Sequence, residues 1–192
     1  MNFKLSPEQV QLLCYQRSQY CEIISSAWQK EMEETFQNIK SYLPQSVSSI
    51  LDVGAGMAGI DVMLANKYPK AKITLLDKNG FDQRKRLWGW NTTADSFGEY
   101  CNFEQTQKIL TQNNIKAQFV DVGKERFPEQ KFDLIISFLS WGFHYPVSTY
   151  ANLIKSPCTI ILDVRKGHDD KSLGEEKIIF SAEKYERKVF YI

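Results

Sequence analysis

Residues able to do chemistry gather in three stretches of the chain. In the first, Asp52-Val53-Gly54-Ala55-Gly56-Met57-Ala58-Gly59 follows a short apolar run, and Asp77 ends the next such run. Glycines behind a strand let the backbone turn sharply and let a ligand approach the main chain closely. The helix that follows offers unpaired N–H groups to an anionic or carboxylate-bearing ligand. An acid at the tip of the neighbouring strand can accept hydrogen bonds from both hydroxyls of a ribose. Gly54, Gly56, Gly59 and Asp77 together therefore predict a nucleoside-containing cofactor. The second stretch, Ser137-Phe138-Leu139-Ser140-Trp141-Gly142-Phe143-His144-Tyr145-Pro146, carries a histidine. His144 suits proton transfer near neutral pH, with Tyr145 able to share the work through its hydroxyl. The competing reading of His144 is a structural or substrate-orienting side chain. Trp141 in the same stretch is expected to face the substrate. The third stretch, Arg165-Lys166, is either a clamp for a phosphate or carboxylate on the substrate or solvated loop charge.

These residues need a scaffold that brings them to one edge. Short apolar runs at 50–53, 73–76, 117–122, 132–138 and 159–164 read as buried strands, and 177–192 reads as a hairpin. A strand, a glycine turn, a helix and a strand in immediate succession make a βαβ unit with parallel strands. Residues 99–113 have helical spacing. Upstream, Ser6-Pro7-Glu8-Gln9 is a helix start, with Ser6 as cap and Gln9 as its capping-box partner. Val10, Leu13, Ile24, Trp28, Met32, Phe36, Ile39 and Leu43 then recur at mostly helical spacing up to Pro44. That pattern gives one long helix, or two with a break near Ser25-Ser26. The expected fold is an α/β three-layer sandwich with a mostly parallel seven-stranded sheet ending in an antiparallel hairpin, preceded by N-terminal helices. A single domain spans 1–192, with a helical segment 1–44 and a core from 47 to 192. Ligands of open α/β sheets bind beyond the carboxyl ends of the strands, where all three chemical stretches leave the sheet.

Composition narrows the function. Among 192 residues, 24 basic side chains nearly cancel 23 acidic ones, for a net charge of +1. Nothing in that balance draws the chain to nucleic acid or an anionic membrane. The excursion 78–98 mixes Arg84, Lys85 and Arg86 with Trp88 and Trp90, as single-strand nucleic-acid surfaces do. A substrate wall, or a lid that orders over a bound cofactor, is the preferred reading. Cys14, Cys21, Cys101 and Cys158 are scattered, without a CxxC pair, and read as reduced thiols. His168 with Asp169-Asp170 is too sparse for a metal site, and none is expected. The N-terminus lacks a signal-peptide pattern and no apolar run reaches membrane length, so a cytoplasmic protein is expected.

Gly54-x-Gly56-x-x-Gly59 also matches the dinucleotide fingerprint, which leaves a nicotinamide cofactor in competition. Asp52-Val53-Gly54-Ala55-Gly56, however, resembles the acid-x-Gly-x-Gly signature of the class I methyltransferases that use S-adenosylmethionine. The helices ahead of the motif and the closing hairpin are also similar to that family, and no separate substrate domain of the dehydrogenase kind fits. The resemblance covers Ile50 to the C-terminus and is strongest at Ile50–Gly56 and Phe132–Ser137. It implies that Asp52 supports the methionine amino end, that Gly54 and Gly56 line the methionine portion and that Asp77 holds the ribose. Asp121 would face the adenine amino group with the Val122 backbone beside it, and Ser137 and Phe138 would sit beside the reacting sulfonium. One position departs from the family pattern: Ala58 stands where its third glycine falls, with Gly59 just after. The chain has no Asn/Asp-Pro-Pro-aromatic motif after the fourth strand, and Pro157-Cys158 precedes the fifth. Base methylation is therefore disfavoured, and O-methylation of a small molecule or glycan is the leading expectation. An RNA methyltransferase and a non-catalytic cofactor-binding subunit are the alternatives.

Overall fold

The computed structural model describes residues 4–17, 24–81, 99–124, 129–143, 145–167 and 173–192. In chain order these form α1 (Pro7–Arg17), α2 (Ile24–Ile39), a 3-10 turn (Lys40–Tyr42), β1 (Ser49–Val53), α3 (Gly59–Lys67), β2 (Lys72–Asp77), β3 (Gly80–Phe81) and β4 (Glu99–Cys101). There follow α4 (Phe103–Gln112), β5 (Ala117–Asp121), β6 (Phe132–Ser137), a 3-10 stretch (Val147–Leu153), β7 (Ile154–Arg165), β8 (Glu176–Ser181) and β9 (Tyr185–Tyr191).

Seven strands form one sheet in the order β5-β2-β1-β6-β7-β9-β8. The pairings β5–β2, β2–β1, β1–β6 and β6–β7 are parallel, and the hairpin pairings β7–β9 and β9–β8 are antiparallel. The order reverses at β1, so the segments leaving β1 and β6 pass to opposite faces of the sheet, α3 on one and Trp141 on the other, the place where open α/β sheets bind ligands. Alternation along the strands sorts the core into two faces. Ile50, Ile73, Leu134, Ile136 and Val189 meet α1, α2, α3 and α4 on one face. Leu51, Val53, Ile135, Ile160 and Leu162 meet Trp141, the 3-10 stretch and Leu173 on the other. Among the described residues every α-helix lies on the first face, and the third layer is the 3-10 stretch. No helix there is long and apolar enough to cross a membrane.

Local chemistry accounts for the helix starts. Ser6 Oγ accepts from Gln9 N (3.3 Å) while Ser6 N donates to Gln9 Oε1 (2.8 Å), the reciprocal capping box. The buried Gln9 also donates to Gln105 O (3.2 Å), tying α1 to α4. Asn102 caps α4 by accepting from Gln105 N (3.1 Å). Gly59 to Leu64 are all buried, so α3 is a core helix up to its last turn, where Asn66 and Lys67 are exposed.

The N-terminal segment is two helices, the second starting at Ile24, one residue before Ser25-Ser26. Two sequence expectations are corrected. Residues 99–101 pair with β3 as an antiparallel strand instead of opening α4, because Asn102 caps the helix after them. Strand β7 begins at Ile154, so Pro157-Cys158 lies within it. The register with β6 shifts between Phe132 and Leu134, which accommodates a residue with no N–H to donate.

At the amino ends of the strands Asp133 pins β6 to β1. One oxygen accepts from Ser48 N (3.0 Å) and Oγ (2.7 Å), the other from Ser49 N (2.7 Å) and Oγ (2.7 Å). Partial burial opposes ionisation, but these four bonds outweigh it and bring the carboxyl down to about 2. A lowered native value stabilises the fold above the unfolded value near 4, and that contribution is lost as pH falls toward 2. Asp133→Ala is expected to cost about 1–3 kcal/mol at pH 7. Urea titrations of both proteins should show the difference shrinking below about pH 4.

Candidate functional site

The turn after β1 is set by backbone geometry that only small residues reach. Gly54 and Gly56 have φ of +78° and +52°, and a Cβ on Gly54 would lie 2.3 Å from Ser140 Cβ and Oγ. Gly54 N donates to Leu76 O (2.7 Å), which carries the β1–β2 ladder into the turn. Gly56 N donates to Asp77 Oδ2 (2.8 Å). Gly56 O accepts from Thr106 Oγ1 (2.8 Å) and Cys101 Sγ (3.5 Å). Ala58, at φ +54°, precedes the first turn of α3 in the left-handed region. A Cβ on Gly59 would stand 2.6 Å from Trp28 Cζ2 and 2.7 Å from Met32 Cγ, so this glycine admits α2.

Behind the turn lie three buried acids. Burial first, then the charge and hydrogen bond of Asp61, then the charge of Asp77, hold Asp52 well above the usual carboxylate range. Burial raises Asp61 to about 6, against the pull of the Asp52 hydrogen bond and its own backbone N–H. Neither Asp61 oxygen has a partner of ordinary hydrogen-bond geometry. Asp77 is likewise raised by burial to about 6, although N–H groups of Gly56 and Lys78 and the Cys101 thiol favour its ionised form. Among the described residues no three His, Cys, Asp or Glu side chains are arranged to hold a metal ion.

A groove of about 310 Å³ opens over the turn. Its floor is Asp52, Gly54, Gly56 and Gly59; one wall is α2, with Trp28, Glu31, Met32 and Glu34. The opposite wall is Phe138, Leu139, Asp163, Phe180, Tyr185 and Arg187. Strand register lines up Phe180, Arg187 and Asp163 across β8, β9 and β7. Buried Arg187 grips Asp163 in a fork, Nε to Oδ1 at 2.7 Å and Nη2 to Oδ2 at 3.0 Å. Its guanidinium lies 4.3 Å from the Phe138 ring centre and 5.6 Å from that of Phe180. Burial raises Asp163, opposed by Arg187 and by the N–H of Leu139. Leu139 is 45% exposed and adopts φ +58°, a conformation rare outside glycine. The Asp163–Arg187 pair thus fixes the backbone leaving β6 where it meets the groove.

The structure brings Asp52, Gly54, Gly56 and Phe138 together in this groove and leaves other expected residues outside its lining. Asp77 and Asp121 sit just beyond, at paired positions of β2 and β5. Asp121 Oδ1 accepts from Gly123 N (2.9 Å) and Asn79 N (3.3 Å), and Val122 N donates to Asp77 O (3.0 Å). Ser137 is buried and structural in its contacts: Oγ donates to Val53 O (2.7 Å) and accepts from Trp141 N (2.7 Å). Trp141 is fully buried on the opposite face of the sheet, its indole N–H on Val147 O (2.9 Å), with no surface left for a substrate. Arg165, the last residue of β7, and Lys166 just after it are exposed, and Tyr145 is 46% exposed. His144, His168 and the 82–98 part of the excursion lie outside the described residues. Sequence reasoning missed Asp61, Asp163, Phe180, Tyr185 and Arg187. Tyr185, Arg187 and Val189 alternate along β9, a period that puts the arginine on the inward face.

No family model matches the sequence, and no curated protein matches it either. Solved structures do match. A protein of Nostoc punctiforme named as an O-methyltransferase has a TM-score of 0.59 at 12% identity over 97% of this chain and 60% of its own. A protein of Escherichia coli named as the methyltransferase yhhF has a TM-score of 0.55 at 12% identity, over 84% of each chain. The fold is that of the class I methyltransferases. Plantazolicin methyltransferase BpumL, solved with SAH, matches at 16% identity and a TM-score of 0.47 over 83% of this chain and 54% of its own. The chain spans 60% of the Nostoc protein and about half of BpumL.

Two outcomes follow from this version of the methyltransferase fold. Gly54→Ala should destabilise by at least about 1–2 kcal/mol, because left-handed backbone and a steric clash coincide. Adding Ser140→Gly should restore the steric part only, as chemical denaturation of the single and double variants will show. Asp61 gives the opposite sign. A native value raised to about 6 means the folded chain binds more protons than the unfolded one between pH 4 and 6, so stability falls as pH rises through that window. Asp61→Asn is therefore expected to stabilise the protein at pH 8 by on the order of 1–3 kcal/mol. The gain should vanish near pH 4 in melting experiments.

Proposed function

We propose that the protein transfers a methyl group from S-adenosylmethionine to a hydroxyl of a small molecule or glycan. The observation that carries this reading is one continuous groove. Its floor is a glycine turn beside a buried acid, and its far wall is Phe138, Tyr185 and Arg187. The residues present suit the cofactor. Asp52 faces the groove where a methionine amino group would need an acid, and the Gly54–Gly56 backbone leaves room for the chain beside it. The Asp77 oxygens accept backbone N–H groups from Gly56 and Lys78, and a carboxylate, with about four lone-pair sites, has capacity left for a ribose hydroxyl. When bound, S-adenosylmethionine supplies a methyl carbon activated by positive sulfur. The chain's own work is alignment and proton transfer. Phe138 and Leu139, fixed by Arg187 and Asp163, form the surface against which the acceptor hydroxyl is turned. His144, five residues past Leu139, takes the hydroxyl proton, with Tyr145 as the second candidate.

Calorimetry with S-adenosylmethionine, S-adenosylhomocysteine and NAD tests the cofactor reading: the first two should bind and NAD should not. Asp77→Ala is expected to weaken S-adenosylhomocysteine by about 1–3 kcal/mol. His144→Ala should keep that affinity within a few-fold while turnover falls at least about a hundredfold. Homocysteine release from a panel of sugars, nucleotide sugars and phenols reads out the acceptor. A histidine variant with near-normal turnover would move the base elsewhere.

A further inference from the structure

The closing hairpin carries aromatic rings that the fold itself does not require. Tyr185 pairs with Arg165, the last residue of β7, and Phe180 pairs with Arg187 at the next-to-last position of β8. Both rings therefore stand at the carboxyl edge of the sheet, where ligands of open α/β sheets bind. Their centres are 6.0 Å apart, and both line the groove. Phe180 belongs to an edge strand and is 38% exposed. Anchoring the hairpin does not explain it, since β9 is held by its ladder to β7 and by the Arg187–Asp163 fork. The Arg187 guanidinium lies over the Phe180 ring and over the Phe138 ring. Phe138, Arg187, Phe180 and Tyr185 thus make one row of flat groups, starting immediately past the tip of β6.

That row has area to offer and few hydrogen bonds. Arg187 gives Nε and Nη2 to Asp163. Such a wall suits an aromatic ring, which stacks by its face, better than a sugar with a hydroxyl on nearly every carbon. Charge narrows the choice further. Among the described residues Arg187 is the one cation lining the groove, and Asp163 neutralises it. Glu31 and Glu34 of α2 line the opposite wall, Glu34 being shared with Lys30 at 3.7 Å. Burial, then the charge of Asp163, raise the Tyr185 hydroxyl against the pull of Arg187, and Glu31 adds to the rise from across the groove. Arg165 and Lys166 are not in the lining. A phosphate or carboxylate on the acceptor would meet no free counter-charge there.

We propose that the acceptor is a phenol, an aromatic ring whose own hydroxyl takes the methyl group, stacked on Phe180 and Tyr185 and carrying no negative charge. This rests on the methyl-transfer reading above and narrows its acceptor from small molecules and glycans to aromatic alcohols. In the transfer the phenol oxygen bonds to the methyl carbon, the carbon–sulfur electron pair stays on sulfur, and the phenol proton goes to the base proposed above. Phe180 and Tyr185 set specificity and take no part in the bond changes.

The test is binding of three hydroxyl compounds to the full chain saturated with S-adenosylhomocysteine, followed by ligand-observed NMR. The compounds are tyramine, 4-hydroxyphenylacetate and methyl glucoside. Tyramine should bind, 4-hydroxyphenylacetate should be weaker by about fivefold, and methyl glucoside should not bind measurably. Methyl transfer from S-adenosylmethionine should follow the same order. Phe180→Leu keeps apolar area without the ring and should weaken tyramine by about three- to tenfold, and Phe180→Trp should restore it. Glu31→Gln should narrow the gap between the two phenols. The comparison of the three compounds needs no variant, so it decides the matter even if a substitution fails to fold. Methyl glucoside or the carboxylate binding as tightly as tyramine, or neither phenol binding, overturns the proposal and leaves the cofactor reading standing. Phe180→Leu with unchanged affinity for tyramine overturns it too. Failure of S-adenosylhomocysteine itself to bind overturns the cofactor reading and this proposal with it.

Discussion

The hydrogen bond from Gly56 N to the Asp77 carboxylate is the constraint on which the rest of the site depends. It joins the turn after one central strand to the tip of its neighbour, 21 residues later. The Gly54 N–H on Leu76 O adds a second tie between the same two strands. With those ties in place, Gly56 O is aimed at Thr106 and Cys101, which seats α4, and Gly59 is left where α2 can pass within contact of Trp28 and Met32. At the opposite end of β1, Asp133 receives four donors from Ser48 and Ser49. The strand is thus held at both ends, and the groove inherits a rigid floor from a backbone with almost no side-chain mass.

The far wall depends on a different kind of constraint. Asp163 and Arg187 are adjacent across β7 and β9, both buried, and joined in a fork that satisfies the shape of each. Removing one partner of such a pair leaves a charge without compensation and typically costs 3–5 kcal/mol, roughly a third of a domain's stability. The pair therefore holds its geometry, and with it the Phe138 ring and the left-handed Leu139. Arg187 in this wall is already neutralised by Asp163.

Much of this was legible in the sequence, for identifiable reasons. Seven strand segments could be read because buried strands are apolar runs that begin and end at glycine, proline and acid. The glycine turn and Asp77 were legible because they fall at fixed offsets from strand ends. Strand β4 was not, since Glu99–Cys101 is three residues long and pairs with only two. Trp141 looked like a substrate wall from its loop, but the face on which a loop residue lands is set by Gly142 and Leu139, both with positive φ. Arg187 lies 135 residues from Asp52, and nothing local announces that a hairpin will close over a glycine turn so distant. Asp61 was the hardest to see: one acid in a helix start reads as an ordinary dipole partner until its burial is known.

The sheet order also carries a consequence for synthesis. Strand β1 sits between β2 and β6, yet β2 follows it within 24 residues while β6 begins only at Phe132. A chain emerging from the ribosome can close the β1–α3–β2 unit as soon as Asp77 is out. The other edge of β1, with its unpaired N–H and C=O groups, must wait until Ser137 has been made. During that interval the edge is a strand template with no partner of its own. The first strand to form is thus the one with the longest wait for a second neighbour, and until then the groove has a floor and no far wall.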